Sequence, residues 1–276
     1  MQRIKEFFKD LWKVLRLPEM LILPGNLAFF LILSIVPIIT VFGMVASMFS
    51  LSTDSITNFI GDIIPSGVMD ILTSFISNGR LNAGNIIFVL IGFFVASNGP
   101  NSLIIASNTL YKKENKNAIF RKIKAIFMTF WLMILFIFIL IVMAFGTFIL
   151  TKILSFGPLG QFIINNYIII TIVKYLTAFM IIFLTIKILY TMAPDIKLKS
   201  KYVNRGAIIS TIAIILITSL YSFYAINFAN YDIIYGSLAN IAILLLLVYI
   251  ISHIIVLGIA INHNYYEFSH NENKKK

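Results

Sequence analysis

The sequence predicts an all-α, polytopic membrane protein with about six transmembrane helices, further amphipathic helices lying along the membrane surface, and both termini on the cytoplasmic side. Three observations carry that expectation. Hydrophobic residues make up 59% of the chain and charged residues 12%, with a mean hydropathy of +0.95, about half the charged fraction of a soluble domain. The apolar residues are gathered into runs of about 20, the length a helix needs to cross a hydrocarbon core. Basic residues collect on alternate connections between those runs, as retention of positive charge on the cytoplasmic face requires.

Residues 1–25 open with Ile4, Phe7, Phe8, Leu11, Trp12 and Leu15 at helical spacing and basic residues opposite, the pattern of a helix resting in the inner headgroup layer. No cleavable signal peptide is expected, because the first apolar run begins after position 20 and no small-residue cleavage site follows a short apolar stretch. The first span is placed at Asn26–Phe49. The connection 50–84 carries Ile56, Phe59, Ile60, Ile63 and Ile64, then Pro65-Ser66-Gly67, then Val68, Ile71, Leu72, Phe75 and Ile76. It reads as two short external amphipathic helices around a turn. The remaining spans are Asn85–Ser107, Ala125–Leu150, Asn166–Leu189, Arg205–Asn227 and Ser237–Asn262, followed by a basic tail at 263–276. Residues 26–262 thus form one membrane domain. Eighteen of the 22 basic residues fall on the N-terminal segment, the second and fourth connections and the tail. The net charge of +11 is therefore a topology signal, and nucleic acid is not an expected partner.

Polar groups inside spans need an account, because hydrocarbon offers them no hydrogen bonds. The second span reads Ser97-Asn98-Gly99-Pro100-Asn101-Ser102 at its middle. Pro100 lacks the N–H that continues a helix, so a kink or break is expected near Gly99-Pro100, with Asn98, Asn101 and Asn108 on one face. Either these amides bond neighbouring helices, or the break lines a substrate path. Pro37, flanked by Ser34 and Thr40, takes the same two readings in the first span. Tyr221 and Tyr224 face a wet outer half of the fifth span or belong to an interfacial aromatic belt. His253 is the one histidine within a predicted span, either a neutral packing group or a proton carrier. Lys174 either snorkels outward or turns inward to meet an anionic headgroup.

Several chemistries lack their residues. The chain has no cysteine, hence no disulfide, thiolate metal site or thiol nucleophile. All 11 acidic residues lie outside the predicted hydrocarbon core. There is no Walker A sequence and no acid–histidine cluster of metal-ligand spacing. Enzyme activity, a metal site and a cofactor are accordingly not expected.

These motifs resemble the YihY/BrkB family of bacterial inner-membrane proteins over nearly the whole chain. Phe29-Phe30, Leu33-Ser34 and Pro37 look like the family's first-span stretch. Asn101, Asn108 and Tyr111 fall where the family's second span continues into a basic connection. Pro194, the lysines after it and Gly206 resemble the approach to the fifth span. Tyr235-Gly236-Ser237-Leu238-Ala239 lead into a last span that closes with Gly258 and Asn262. Where the family usually carries an acidic residue near that end, this chain has Ala260. The resemblance adds Tyr235 and Asn262 to the candidate residues and implies a six-helix, multi-pass protein of the bacterial inner membrane. The family was once labelled ribonuclease BN and has been linked to virulence, serum resistance and envelope lipid phenotypes.

The functional expectation is a protein that moves or accommodates lipid or another amphiphile in the envelope, with membrane lipids, anionic ones included, as partners. The alternative is a non-transporting envelope scaffold or assembly factor, and a nuclease is the third class. No residue pattern specifies an oligomeric state.

Overall fold

A computed structural model describes residues 9, 12–13, 16, 18–48, 83–114, 117–134, 167–228 and 237–274. Every regular element among them is helical. They are α1 (Glu19–Met48), α2 (Ala83–Ala96), α3 (Asn98–Leu110), α4 (described over 118–134), α5 (Tyr167–Met192), a 3-10 turn (Ser200–Tyr202), α6 (Asn204–Phe228) and α7 (Ser237–Lys274). Among the described residues four stretches are long and apolar enough to span a membrane: Leu90–Leu110, Tyr175–Met192, Asn204–Tyr221 and Ala242–Ser269. Met20–Ser34 is a shorter apolar stretch within α1. Of the other expected elements, the third span is described only to residue 134, and residues 50–82 of the external connection lie outside the described residues. In the N-terminal segment Lys9, Trp12 and Lys13 are helical.

The packed core sits toward one end of the helices. Met20, Leu23 and Leu27 of α1 meet Leu103, Ile104 and Leu110 of α3, Ala125 and Met128 of α4, and Ile186 and Tyr190 of α5. Ala207 of α6 and Val256, Ile259 and Ala260 of α7 complete it. At the other end large apolar side chains face outward, among them Ile172, Leu176, Leu216, Leu220 and Leu246. Such a surface is an aggregation hazard in water and ordinary against lipid. Burial separates these four stretches: 56% of Leu90–Leu110 is inside the protein, against 11% for Tyr175–Met192 and 22% for both Asn204–Tyr221 and Ala242–Ser269. Leu90–Leu110 is the most buried of the four.

That span is interrupted at Ser97, two residues before the expected Gly99-Pro100. α2 ends at Ala96, a turn falls at Ser97, and α3 starts at Asn98. Pro100 thus occupies the first turn of α3, where its missing N–H costs the least. Ser97 keeps a right-handed helical backbone (φ −65°, ψ −9°), and its N–H still bonds the Phe93 carbonyl at 3.0 Å, so the chain passes the interruption without unwinding. The carbonyl Pro100 cannot reach is that of Ala96. The Ser34 hydroxyl lies 3.1 Å from it and 2.6 Å from its own helix's Phe30 carbonyl, so α1 partners the freed acceptor. Ser34→Ala should cost about 1 kcal/mol. Pro100→Ala in that background supplies an N–H to the same carbonyl and should recover part of the loss, as thermal unfolding in detergent would show.

The last helix also departs from expectation. It does not end at Asn262 but runs on to Lys274. No glycine or proline interrupts residues 263–274, and Tyr265 and Tyr266 give the extension aromatic contacts with Tyr202 and Tyr111.

Candidate functional site

Three buried polar arrangements hold the core end together. In the first, Asn108 of α3 grips the turn after α5. Its Nδ2 donates to Asp195 Oδ2 and its Oδ1 accepts from the Asp195 backbone N–H, both at 2.8 Å. Lys124 of α4 donates to Asp195 Oδ1 at 2.7 Å and to the carbonyls of Ala193 and Pro194 at 2.9 and 3.2 Å. Pro194 cannot extend α5, so these carbonyls need outside donors, and a cation suits the negative end of a helix.

The second arrangement joins α5, α6 and α7. The Asn262 Oδ1 accepts the Gly206 N–H at 2.8 Å, satisfying a first-turn donor that α6 cannot bond internally. Tyr190 Oη donates to the Ile255 carbonyl at 2.8 Å and lies 2.8 Å from Ser210 Oγ. Gly206 and Gly258 let the two backbones touch: a Cβ on Gly206 would overlap the Gly258 carbonyl oxygen, and one on Gly258 would overlap the Ser210 and Tyr190 hydroxyls.

The third is aromatic. Tyr111 meets His263 and Tyr266 edge-on at 5.1 and 6.1 Å between ring centres. His263 Nε2 is 3.3 Å from Glu267, and Lys112 is 3.9 Å from the same carboxylate. Arg205 lies over the Tyr265 ring at 3.8 Å. Burial, with a smaller contribution from Tyr266, pushes the Tyr111 phenol well above the usual tyrosine range. Among the described residues Ser107 Oγ, Tyr111 Oη, Asn204 Oδ1, Asn262 Nδ2 and His263 Nδ1 are buried without a hydrogen-bond partner.

The remaining candidates lie elsewhere. The Asn98 Oδ1 accepts from Lys122 at 2.6 Å, and the Asn101 Oδ1 from Arg121 Nε at 3.0 Å. Gly99 faces Leu31 and Ser34 of α1, where a Cβ would find ordinary contacts of 3.4 and 3.6 Å. Tyr221 and Tyr224 line an apolar groove of about 380 Å³ between α6 and α7, with Ile217, Leu220, Ile243, Leu246, Leu247 and Ile250. His253 rests on Tyr249 of its own helix, ring centres 4.5 Å apart. Pro37 and Lys174 are placed as backbone within α1 and α5; their side chains, and Tyr235 altogether, lie outside the described residues. Asn98 and Asn101 therefore share a neighbourhood with Ser34 and Pro100, and Asn108 and Asn262 belong to separate clamps. The groove is lined by Tyr221 and Tyr224 and not by Asn98, Asn101 or His253.

Sequence reasoning passed over Lys124, Asp195, Tyr190, Ser210 and His263. One signal was present for Asp195: it directly follows Pro194 at a span end and is the sole acid in an otherwise basic connection.

Membrane-length apolar helices with outward apolar surfaces, clamped at one end by buried polar groups, define a multi-pass helical membrane protein. Residues 14–276 match the family described as Virulence factor BrkB, and the chain belongs to that family. Among relatives, YfkH of Bacillus subtilis (strain 168), whose name describes it as ribonuclease-like, is 28% identical over 261 residues, covering 93% of this chain and 94% of its own length. UPF0761 membrane protein MS0032 of Mannheimia succiniciproducens is 26% identical over 243 residues, 85% of this chain and 80% of its own. A UPF0761 membrane protein of Pseudoalteromonas atlantica is 24% identical over 280 residues, 91% of this chain and 83% of its own. No solved structure matches.

Proposed function

We propose that this BrkB-family protein handles lipid or another amphiphile in the cell envelope, moving or accommodating it between leaflets, without enzyme chemistry, a metal, a cofactor or nucleic acid. The observation that carries the reading is the groove between α6 and α7. At about 380 Å³ it falls within the size range of small-ligand sites, and its walls are apolar with two tyrosine hydroxyls. An acyl chain suits such walls, and a tyrosine hydroxyl suits the polar end of the same molecule.

The reading includes six crossings with both termini inside. Its support is that the basic segments gather at one end. The second connection touches the fourth through Lys124 and Asp195, the fourth touches α7's extension through Tyr202 and Tyr265, and the second reaches that extension through Tyr111 and His263.

The scaffold reading has one observation in its favour: the core end is filled and clamped, with backbone touching backbone at Gly206 and Gly258. The name of YfkH raises nuclease activity. Metal-assisted phosphodiester cleavage needs a cluster of ligands, and among the described residues no group of three or more His, Cys, Asp or Glu is placed to hold an ion. We set that reading behind the other two.

Filling the groove tests the proposal. Leu220→Trp and Leu246→Trp, both at outward positions, should slow lipid transfer between vesicle leaflets by about tenfold, which corresponds to about 1.4 kcal/mol, while leaving the unfolding temperature near that of the parent. Transfer unaffected by both substitutions would remove the groove from the path.

A further inference from the structure

The first two turns of α4 carry Arg121, Lys122 and Lys124 and no acidic residue. Cations are disfavoured there, because the start of a helix already presents the positive end of its dipole. Lys124 is offset by Asp195 at 2.7 Å. Among the described residues Arg121 and Lys122 are not offset. Arg121 donates through Nε to the Asn101 amide oxygen, and Lys122 donates to the Asn98 amide oxygen and, at 3.0 Å, to the Phe94 carbonyl. All of these acceptors are neutral, and among the described residues no carboxylate pairs with either side chain.

A guanidinium has five N–H donors and an ammonium three. The Nη groups of Arg121 and one proton of Lys122 thus remain for another acceptor. Both side chains are partly exposed, and burial lowers the Lys122 ammonium below the usual lysine range, a shift an adjacent anion would oppose. The flanks are apolar and face outward: Ile91 and Phe94 on α2, Ile123 and Phe127 on α4, each more than half exposed. The Lys122 ammonium also stands 4.0 Å above the Phe94 ring, which places the charge against the apolar surface.

We propose that Arg121 and Lys122 hold the phosphate of an anionic phospholipid, its acyl chains lying on the outward faces of α2 and α4, in the leaflet facing the basic connections. Charge complementarity selects the headgroup and the adjoining apolar faces select a lipid over a free anion. The inference goes beyond lipid transfer, since it requires binding and no movement. It involves neither the α6/α7 groove nor the buried clamps.

Native mass spectrometry of the purified full-length protein, with phosphatidylglycerol, phosphatidylcholine and inorganic phosphate as separate probes, reads the site directly. The expected result is preferential retention of phosphatidylglycerol, reduced about tenfold in R121Q/K122Q. It should be unchanged in K197Q/K199Q, which removes the same charge at exposed positions. On the unsubstituted protein, a photoactivatable phosphatidylglycerol should leave adducts on α2 and α4. Equal retention by folded R121Q/K122Q, an equal loss in K197Q/K199Q, adducts confined to other helices, or inorganic phosphate held as strongly as phosphatidylglycerol would each overturn the site. Lipid transfer in vesicles without this binding would refute the site and leave the proposed function standing. Binding without transfer would leave the site standing and remove movement between leaflets from the proposed function.

Discussion

Gly206→Ala and Gly258→Ala are each expected to abolish recovery of monodisperse protein from detergent extracts. A methyl group at Gly206 overlaps the Gly258 carbonyl oxygen and lies 2.6 Å from both side-chain polar atoms of Asn262. The obstruction is backbone, so no rotamer change relieves it, and α6 must move away from α7. That movement also breaks the Gly206–Asn262 hydrogen bond, leaving a buried donor unmet at about 1–3 kcal/mol in addition to about 3 kcal/mol of overpacking. At Gly258 the methyl meets the Tyr190 and Ser210 hydroxyls, with Tyr190 Cζ at 2.8 Å, and Tyr190 is itself tied to the Ile255 carbonyl. Gly25→Ala is the matched control, because its Cβ would lie 3.9 Å from Tyr249, an ordinary contact. Size-exclusion profiles of the three variants give the comparison. Native-like profiles for both Gly206→Ala and Gly258→Ala would mean that α6 and α7 do not pack this closely.

The second large effect belongs to Lys124 and Asp195. The Asp195 side chain is 6% exposed and that of Lys124 26%, and the two removals are unequal. Lys124→Met leaves the Asp195 carboxylate beside the Asn108 amide without its cation and should cost about 3 kcal/mol, the lower end for a broken buried pair because water reaches the lysine side. Asp195→Asn keeps an acceptor oxygen for only one of Lys124 and Asn108 but leaves the ammonium its two carbonyls and no unpaired carboxylate, so about 1–2 kcal/mol is expected. The double variant, with no buried charge, should be more stable than Lys124→Met alone. Thermal unfolding of the three proteins checks the order; a double variant less stable than Lys124→Met would contradict this account of the pair.

The helical, membrane-spanning character of the chain was legible because it is written in composition and in the placement of lysine and arginine. The interruption of the second span was legible from Pro100, yet it falls at Ser97, since a proline is accommodated in the first turn of a helix. Partners were not legible. Asn108 and Asp195 are 87 residues apart, and nothing local marks them as a pair. Asn98 and Asn101 read as bonding a neighbour or as lining a path, and their partners Lys122 and Arg121 lie 24 and 20 residues away in sequence, where nothing local marks them. His263 looked like part of a solvated tail because its sequence neighbours are polar. It is buried because Tyr111, from a distant helix end, packs against it.

Lipid movement is the central claim, and reconstitution tests it most directly. The protein, purified without its groove or clamps altered, is placed in vesicles whose two leaflets can be assayed separately across a panel of anionic, zwitterionic and isoprenoid lipids. The account predicts transfer of at least one lipid class that scales with the amount of protein and falls in Leu220→Trp. Transfer no faster than in protein-free vesicles, for every lipid in the panel and with protein shown to be folded, would contradict it and leave the envelope scaffold as the reading.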